Sequence, residues 1–286
     1  MTRKKATIGK IGKQLRTTWA TLLLLALCQC QSFSGQSLSD QSSADRFDAA
    51  RPTVLITGAN RGLGLEFSRQ YAARGWNVIA SCREPGEAIA LAELAAEFER
   101  VSIERLDVTS DDEVRELAEK YRGKPIDVLL NNAGIYGTLE KQTLGTFDYE
   151  ELKWVFDVNT IGSLRVSEAF LDNVLASEQK KIISLGGGMG TQSIGRLFGG
   201  HYFIKMSKSA HLMAMGVLQK DMDKSGLIVT MISPGRVDTQ LMRDSGWTGP
   251  SISAEESARL VIDRIDLLDA SVAGRLILYN GKVIPW

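Results

Sequence analysis

Disulfides are the first thing this sequence lacks the means to build. Of its three cysteines, Cys28, Cys30 and Cys82, only Cys82 falls in the part that reads as a folded domain. No internal disulfide framework is therefore available. Histidine is equally scarce: there are two, His201 and His211. Neither stands beside Cys, Asp or Glu at ligand spacing, which argues against a metal centre, and both read as surface or packing residues. Net charge is missing as well, with 34 basic residues against 34 acidic ones. Seven of the bases and three of the acids lie in residues 1–50, so Arg51 to Trp286 carries 27 bases, 31 acids and a net charge of −4. With no basic stripe left, nucleic acid is not an expected partner. Long apolar runs are absent too. The most apolar stretch, "TWATLLLLALC", holds about ten apolar residues, too few to span a bilayer comfortably.

What is present begins with a distinctive amino terminus. Residues 1–16 are basic and free of acids, the apolar stretch follows, and "QSFSGQSLSDQSSAD" comes after it. A charged segment before a short apolar one is the pattern of a secretory signal. Leu25-Ala26-Leu27-Cys28 resembles a lipoprotein cleavage box, although Leu27 is larger than the residue expected before the Cys. The Ser-rich stretch suits a flexible tether. An exported or membrane-anchored protein is the favoured expectation; an organellar transit peptide or a plain cytoplasmic tail remains an alternative. Residues 1–50 are accordingly read as a signal, anchor and tether, and residues 51–286 as one folded domain. A composition 44% hydrophobic and 24% charged suffices for one packed core of about 230–250 residues.

Within that domain, strand and helix patterns alternate. "TVLITG" reads as a short buried strand and "LGLEFSRQYAARG" as an amphipathic helix stopped by Gly75. "NVIAS", "VSIERLDV", "IDVLLNNAG", "KIISL" and "GLIVTMISPG" are the next five strands. Helical patterns lie between them: "EAIALAELAAEFER", "SDDEVRELAEKY" with Ser110 as N-cap, a long helix from about Tyr149 to Ser177, and another from about Phe203 to Lys224. Ser253 and Glu256 form a capping box before "SARLVIDRIDLL". "GRLILYNGKVIPW" adds a strand and an Asn280-Gly281 turn. Strands separated by helices imply right-handed crossovers and a parallel sheet covered on both faces. The expected fold class is α/β, a doubly wound parallel sheet of the Rossmann type in a single domain.

The first strand runs into Thr57-Gly58-Ala59-Asn60-Arg61-Gly62-Leu63-Gly64. Glycines let the backbone turn tightly and approach a pyrophosphate, and the helix behind offers free N–H groups and its positive dipole end. The position in the first strand–helix unit gives the pattern its meaning. The second strand ends in Ser81-Cys82-Arg83, without the carboxylate that an NAD(H) site places against the ribose. Arg61 and Arg83 suit a 2′-phosphate, so NADP(H) is expected ahead of NAD(H), unless both arginines are only solvated surface charges.

Taken together, these motifs resemble the short-chain dehydrogenase/reductase family, with an ending like that of its carbonyl-reductase and C-factor subgroup. The resemblance covers about Thr53 to Trp286. It assigns the TGxxxGxG turn to Thr57–Gly64 and the adenine side to Asp107 and Val108. The NNAG motif becomes Asn131, Asn132, Ala133 and Gly134, and the helix asparagine Asn159. The nicotinamide-side PGxVxT motif falls on Pro234 to Thr239. In that family a Ser–Tyr–Lys set and the helix Asn interconvert carbonyls and alcohols: Tyr moves the proton, Lys holds the ribose and lowers the Tyr pKa, and Ser bonds the substrate oxygen. The family implies a small-molecule carbonyl or alcohol substrate and a homo-oligomer paired through the two long helices.

The resemblance breaks at the chemistry. "GGHYFIKMSKSA" aligns Lys208 with the family Lys and Ser207 with its neighbour, but Ile204 occupies the Tyr position. Tyr202 matches an earlier, non-catalytic tyrosine and points away from Lys208. "IISLGGGMGT" makes Gly190 the anchoring glycine and puts Gly187 in the Ser position, while Ser184 lies three residues too early. Tyr136 and Thr191 are the hydroxyls near enough in sequence to replace the lost donor. Three readings follow: a catalytically impaired NADP(H)-binding member of the family, an active carbonyl reductase with a rebuilt site, or a cofactor-binding sensor or scaffold.

Overall fold

A computed structural model of the chain describes residues 47–285. The expected signal, anchor and tether lie almost wholly outside these residues. Eight strands form one sheet in the order β3-β2-β1-β4-β5-β6-β7-β8. They are β1 (Thr53–Thr57), β2 (Asn77–Cys82), β3 (Val101–Arg105), β4 (Val128–Asn131), β5 (Lys181–Leu185), β6 (Ile228–Ser233), β7 (Leu276–Leu278) and β8 (Val283–Ile284). The first seven are parallel, and β8 returns antiparallel to β7 through the Asn280-Gly281 turn. Gly281 takes the left-handed φ of 86° that this reversal needs. The order reverses between β1 and β4, and the crevice at that switch point is where such sheets bind ligands.

Strand β1 shows why two layers of helix form. Its residues alternate, Val54 and Ile56 to one face and Leu55 to the other, and all three are fully buried. The first face packs Phe67 and Tyr71 of α1 (Gly62–Ala73), Leu91 and Leu94 of α2 (Ile89–Glu97), and Ile262 of a late helix. The second packs Leu117 of α3 (Asp111–Lys120) together with Val166 and Phe170. Full burial of one such aliphatic side chain contributes about 1.5–3 kcal/mol, so neither face of the sheet can be left bare.

The helix expected from Tyr149 to Ser177 is not one regular helix. It runs as α4 (Tyr149–Phe156), a π-helical turn over Asp157–Ile161, α5 (Gly162–Ala169) and α6 (Leu171–Leu175). A π turn accommodates one extra residue and is commonest at functional sites; here it contains Asn159. The short α7 (Gln192–Gly195) precedes α8 (Tyr202–Asp221), which ends three residues before the expected Lys224 and gives way to a turn that closes at Gly226, φ 78°. After β6 come α9 (Gln240–Asp244) and α10 (Ala254–Asp266). Both N-caps read from sequence form: Ser110 Oγ accepts from Glu113 N at 3.2 Å and Ser253 Oγ from Glu256 N at 3.0 Å.

Candidate active site

The turn after β1 is built to leave an approach to its backbone. Gly58 and Gly62 have φ of 65° and 55°, where a side chain would be strained. A Cβ on Gly64 would stand 2.2 Å from Gly58 O and 2.6 Å from Asn132 Nδ2. Asn132 fastens the turn to β4: its side-chain amide donates to Thr57 O at 2.8 Å and Gly58 O at 3.1 Å, and its backbone N–H donates to Thr57 Oγ1 at 3.0 Å. Behind the turn, α1 starts at Arg61 without a side-chain cap. Its first N–H groups are thus free to bind an anion. Asn60 and Arg61 are exposed, and Leu63 is half-buried beside them.

Around the β1–β4 crevice, Arg83 is exposed just past β2. The nearest acid after that strand, Glu84, pairs with Arg105 at 3.6 Å. Asp107 shapes its own loop, its Oδ1 accepting from Thr109 N at 2.9 Å and Thr109 Oγ1 at 2.8 Å. Val108 is buried, and a Cβ on Gly162 would stand 2.8 Å from its Cγ2. On the other side of the turn, Thr239 immediately precedes α9 without a side-chain cap bond, its Cγ2 3.4 Å from where a Gly62 side chain would begin. Pro234 O is held by Ser257 Oγ at 2.8 Å. The turn, Arg83, Asp107 and the 234–239 segment all follow the carboxyl ends of parallel strands, at the same edge of the sheet. The free N–H groups and the bare glycine backbone of the turn fit a dinucleotide.

Deeper in, Asn159 and Lys208 come together. A side chain on Gly134 would meet Asn159 Oδ1 at 3.3 Å and Lys208 Nζ at 3.8 Å. Asn159 is fully buried and grips Ile135 in both directions: Ile135 N donates to its Oδ1 at 2.8 Å, and its Nδ2 donates to Ile135 O at 2.9 Å. The π turn aims this amide at the loop after β4. Ser207 accepts from the same Nδ2 at 3.1 Å. Lys208 is a half-buried residue whose amine is nevertheless enclosed, donating to Leu185 O at 3.1 Å. Desolvation pushes its pKa down to about 8. Gly190 lets the 187–190 loop touch α8, since a Cβ there would lie 2.7 Å from Lys208 C.

The two positions flagged in the sequence differ in their surroundings. A Cβ on Gly187 would meet no atom within 4 Å. Ile204 is buried on α8, one turn before Lys208. Ser184 is sealed inside β5, within 3.5 Å of Asn131 Nδ2. Thr191 is occupied as the cap of α7, accepting from Ile194 N at 3.2 Å and donating to Gly188 O at 2.7 Å. Tyr202 turns outward against Phe147, ring centroids 4.9 Å apart.

Sequence reasoning missed two residues beside Tyr136. His201 Nδ1 lies 2.8 Å from Tyr136 Oη, so this histidine is paired rather than merely packed. Gln142 is fully buried and joins the loop to α8: its Nε2 donates to Tyr136 O at 3.1 Å, and its Oε1 accepts from Phe203 N at 3.2 Å. Nothing in "LEKQTLG" announces that role, because Phe203 lies 61 residues further along the chain. His211, by contrast, is buried with no hydrogen-bond partner on either ring nitrogen. Among the described residues, no group of three or more His, Cys, Asp or Glu could hold a metal ion.

Comparison with known proteins matches residues 52–248 to the family described as short chain dehydrogenase. The 1-hydroxy-2-glutathionyl-2-methyl-3-butene dehydrogenase of Rhodococcus sp. (strain AD45) is 32% identical, covering 82% of this chain and 99% of its own. C-signal of Myxococcus xanthus is also 32% identical, over 57% of this chain and 93% of its own. Among solved structures, the NADPH-bound carbonyl reductase from chicken fatty liver superposes with a TM-score of 0.75 at 27% identity, covering 82% of this chain and all of that one.

Proposed function

This chain belongs to the short-chain dehydrogenase family of oxidoreductases, and from that premise we propose an NADP(H)-binding member impaired in ordinary carbonyl–alcohol interconversion. One observation carries the reading. The dinucleotide crevice is built throughout, whereas Gly187 and Ile204 hold the positions that should present hydroxyls. When bound, the nicotinamide supplies or accepts a hydride. The chain's own residues do the rest. The Gly58–Gly64 turn and the start of α1 take the pyrophosphate, and Lys208 takes the ribose. The 234–239 segment borders the nicotinamide side. No hydroxyl stands one turn before Lys208 to protonate a carbonyl oxygen, and loss of a general acid typically removes about 10²–10⁴-fold in rate. Fluorescence titration with NADPH, followed by turnover of small aldehydes and ketones, tests the proposal: tight binding with poor turnover is expected. No NADPH binding would refute it, and no turnover at all would favour a sensor or scaffold.

NADPH is expected to bind more tightly than NADH. Exposed Arg61 and Arg83 flank the crevice, and Glu84 is engaged with Arg105. The NADPH held by the chicken carbonyl reductase supports the choice. Charge-assisted contacts to a 2′-phosphate contribute about 1.5–3 kcal/mol. Arg83→Ala should therefore weaken NADPH by about tenfold or more and leave NADH nearly untouched. Equal affinities of the parent chain for both cofactors would contradict this.

Assembly into a homodimer or tetramer is proposed through α4, α5 and α8. Met206, Met213 and Val217 lie along one side of α8, and Trp154, Ile161 and Leu164 face outward on the neighbouring helix, all 39–56% exposed. An apolar face of that extent is unusual on a monomer. A monomeric mass by light scattering at micromolar concentration would rule it out. The amino-terminal pattern carries the accompanying proposal that the protein is exported or membrane-tethered. No helix among the described residues is long and apolar enough to cross a membrane.

A further inference from the structure

Tyr136 sits where the missing donors leave a gap. It follows Gly134 by two residues on the loop that Asn159 clamps through Ile135 and Gln142 holds through the Tyr136 carbonyl. Its phenol is buried, 3.9 Å from Met189 Sδ, two residues beyond the open space at Gly187. Its hydrogen-bond partner, His201, stands at the start of α8, one turn before Ile204. The phenol therefore lies between the loop that lost its serine and the helix end that lost its tyrosine. His201 is one of two non-glycine residues at positive φ among the described residues, with φ 57°. That conformation is disfavoured for an L-residue, although histidine tolerates it better than most. Strained backbone persists where surrounding structure enforces it, often for function. The enforcement here is visible: the imidazole meets the Tyr136 ring edge-on at 5.9 Å and the Phe198 ring at 5.7 Å.

We infer that Tyr136 and His201 form a substitute proton relay, with Tyr136 as the catalytic acid toward a carbonyl oxygen and His201 as the group that recharges it. The inference rests on the proposed cofactor reading. In the reducing direction the carbonyl carbon gains a hydride from reduced nicotinamide dinucleotide, and the π electron pair moves onto oxygen. That oxygen takes the Tyr136 phenolic proton. The Tyr136 oxygen takes the Nδ1 proton of a His201 imidazolium, leaving a neutral imidazole that solvent reprotonates. In the oxidising direction each transfer reverses, and neutral His201 is the base.

The same pair accounts for weak chemistry near neutrality. Burial pushes the Tyr136 phenol up to about 12, so it releases a proton reluctantly without a cation beside it. His201 is that cation only in acid, because burial and then the Lys205 ammonium push its pKa below the ordinary value. Tyr136 and Phe198 are its other neighbours, and neither carries charge. Lys205 Nζ itself donates to Phe198 O at 2.6 Å and lies 4.1 Å over the Phe198 ring. Carbonyl reduction should thus accelerate as pH falls toward the His201 pKa, by up to about tenfold per pH unit, and alcohol oxidation should show the opposite limb.

The test compares the full chain with Tyr136→Phe and His201→Asn, the latter because Asn also tolerates positive φ. Benzaldehyde with NADPH is the probe of turnover. NMR of the cofactor-free protein supplies a second readout, since the chain has only two histidines and burial, with the Lys208 ammonium, pushes the pKa of His211 well below the ordinary value. Tyr136→Phe is expected to lower benzaldehyde reduction about 10²–10⁴-fold, shift the His201 titration and leave NADPH affinity unchanged. His201→Asn should flatten the acid limb. Reduction by Tyr136→Phe at the parent rate, a parent rate indifferent to pH, or NADPH binding with no turnover would each overturn the relay. Failure of the parent chain to bind NADPH would instead strike the cofactor reading beneath it, and the relay with it.

Discussion

Ile204→Tyr combined with Gly187→Ser is expected to raise NADPH-dependent reduction of small aldehydes about 10²–10⁴-fold above the parent chain. The reason is geometric. Ile204 lies one helical turn before Lys208, so a phenol there shares a face with the enclosed amine. Lys208, its pKa pushed down to about 8 by desolvation, would stand one turn beyond that phenol, where its charge would favour the phenolate. Gly187 has extended backbone, φ −162°, which any residue adopts, and its missing Cβ faces open space; serine should enter at little cost. Tyrosine at the buried 204 position is larger than isoleucine, and overpacking of a core costs about 1–3 kcal/mol. A thermal melt should accompany the rates for that reason. The groups act as a unit, so the double change should exceed the product of the single changes. A parent chain that already reduces a carbonyl at an ordinary rate of roughly 1–10³ s⁻¹ would contradict the proposed impairment. A folded double variant no faster than the parent would contradict the site assignment.

Gly64→Ala is expected to have the largest effect in the opposite sense. Its new methyl would stand 2.2 Å from Gly58 O, 2.6 Å from Asn132 Nδ2 and 2.9 Å from Ala59 Cα. Two of those atoms are backbone, and the third belongs to the amide that ties the turn to β4. Nothing there is a flexible side-chain end that could yield. The turn must open, at about 1–3 kcal/mol of stability, and the N–H groups proposed to take the pyrophosphate would be displaced. NADPH affinity should fall about 100-fold or more, equivalent to roughly 2.7 kcal/mol, with a lower melting temperature. Gly86→Ala is the control, because a Cβ at Gly86 meets nothing within 4 Å. Equal NADPH affinity in the Gly64 variant and the control would show that the cofactor does not bind at this turn.

The fold could be read because it depends on local, periodic signals. Val54, Leu55 and Ile56 alternate between the two sheet faces, and Ser110 and Ser253 announce the helices they cap. The turn after β1 was legible for a related reason, since the backbone at Gly58, Gly62 and Gly64 admits few other residues. What escaped was the part made by long-range pairing. Gln142 draws its role from Phe203, which lies 61 residues away, and no local pattern encodes that. His201 looked like a surface or packing residue because its partner, Tyr136, is 65 residues distant. The π turn escaped for a different reason. Apolar periodicity continues on both sides of it, and one extra residue is below the precision with which a helical period can be read.

That extra residue bears on how the chain can change over evolutionary time. A residue removed from a regular helix rotates everything beyond it by roughly 100°. The π turn over Asp157–Ile161 absorbs its extra residue locally, so the chain beyond it keeps Val166 and Phe170, both fully buried, against the sheet. A deletion confined to that turn would return the hydrogen bonds to regular α spacing with the core face kept, and would remove the widened turn that holds Asn159 to Ile135. Length at this point is therefore set by the site rather than by the core. Exchanging a side chain at Gly187 or Ile204 meets no such barrier, since one faces open space and the other needs only an apolar filler of suitable size. Side chains at those two positions can therefore be exchanged without altering the turn that holds Asn159.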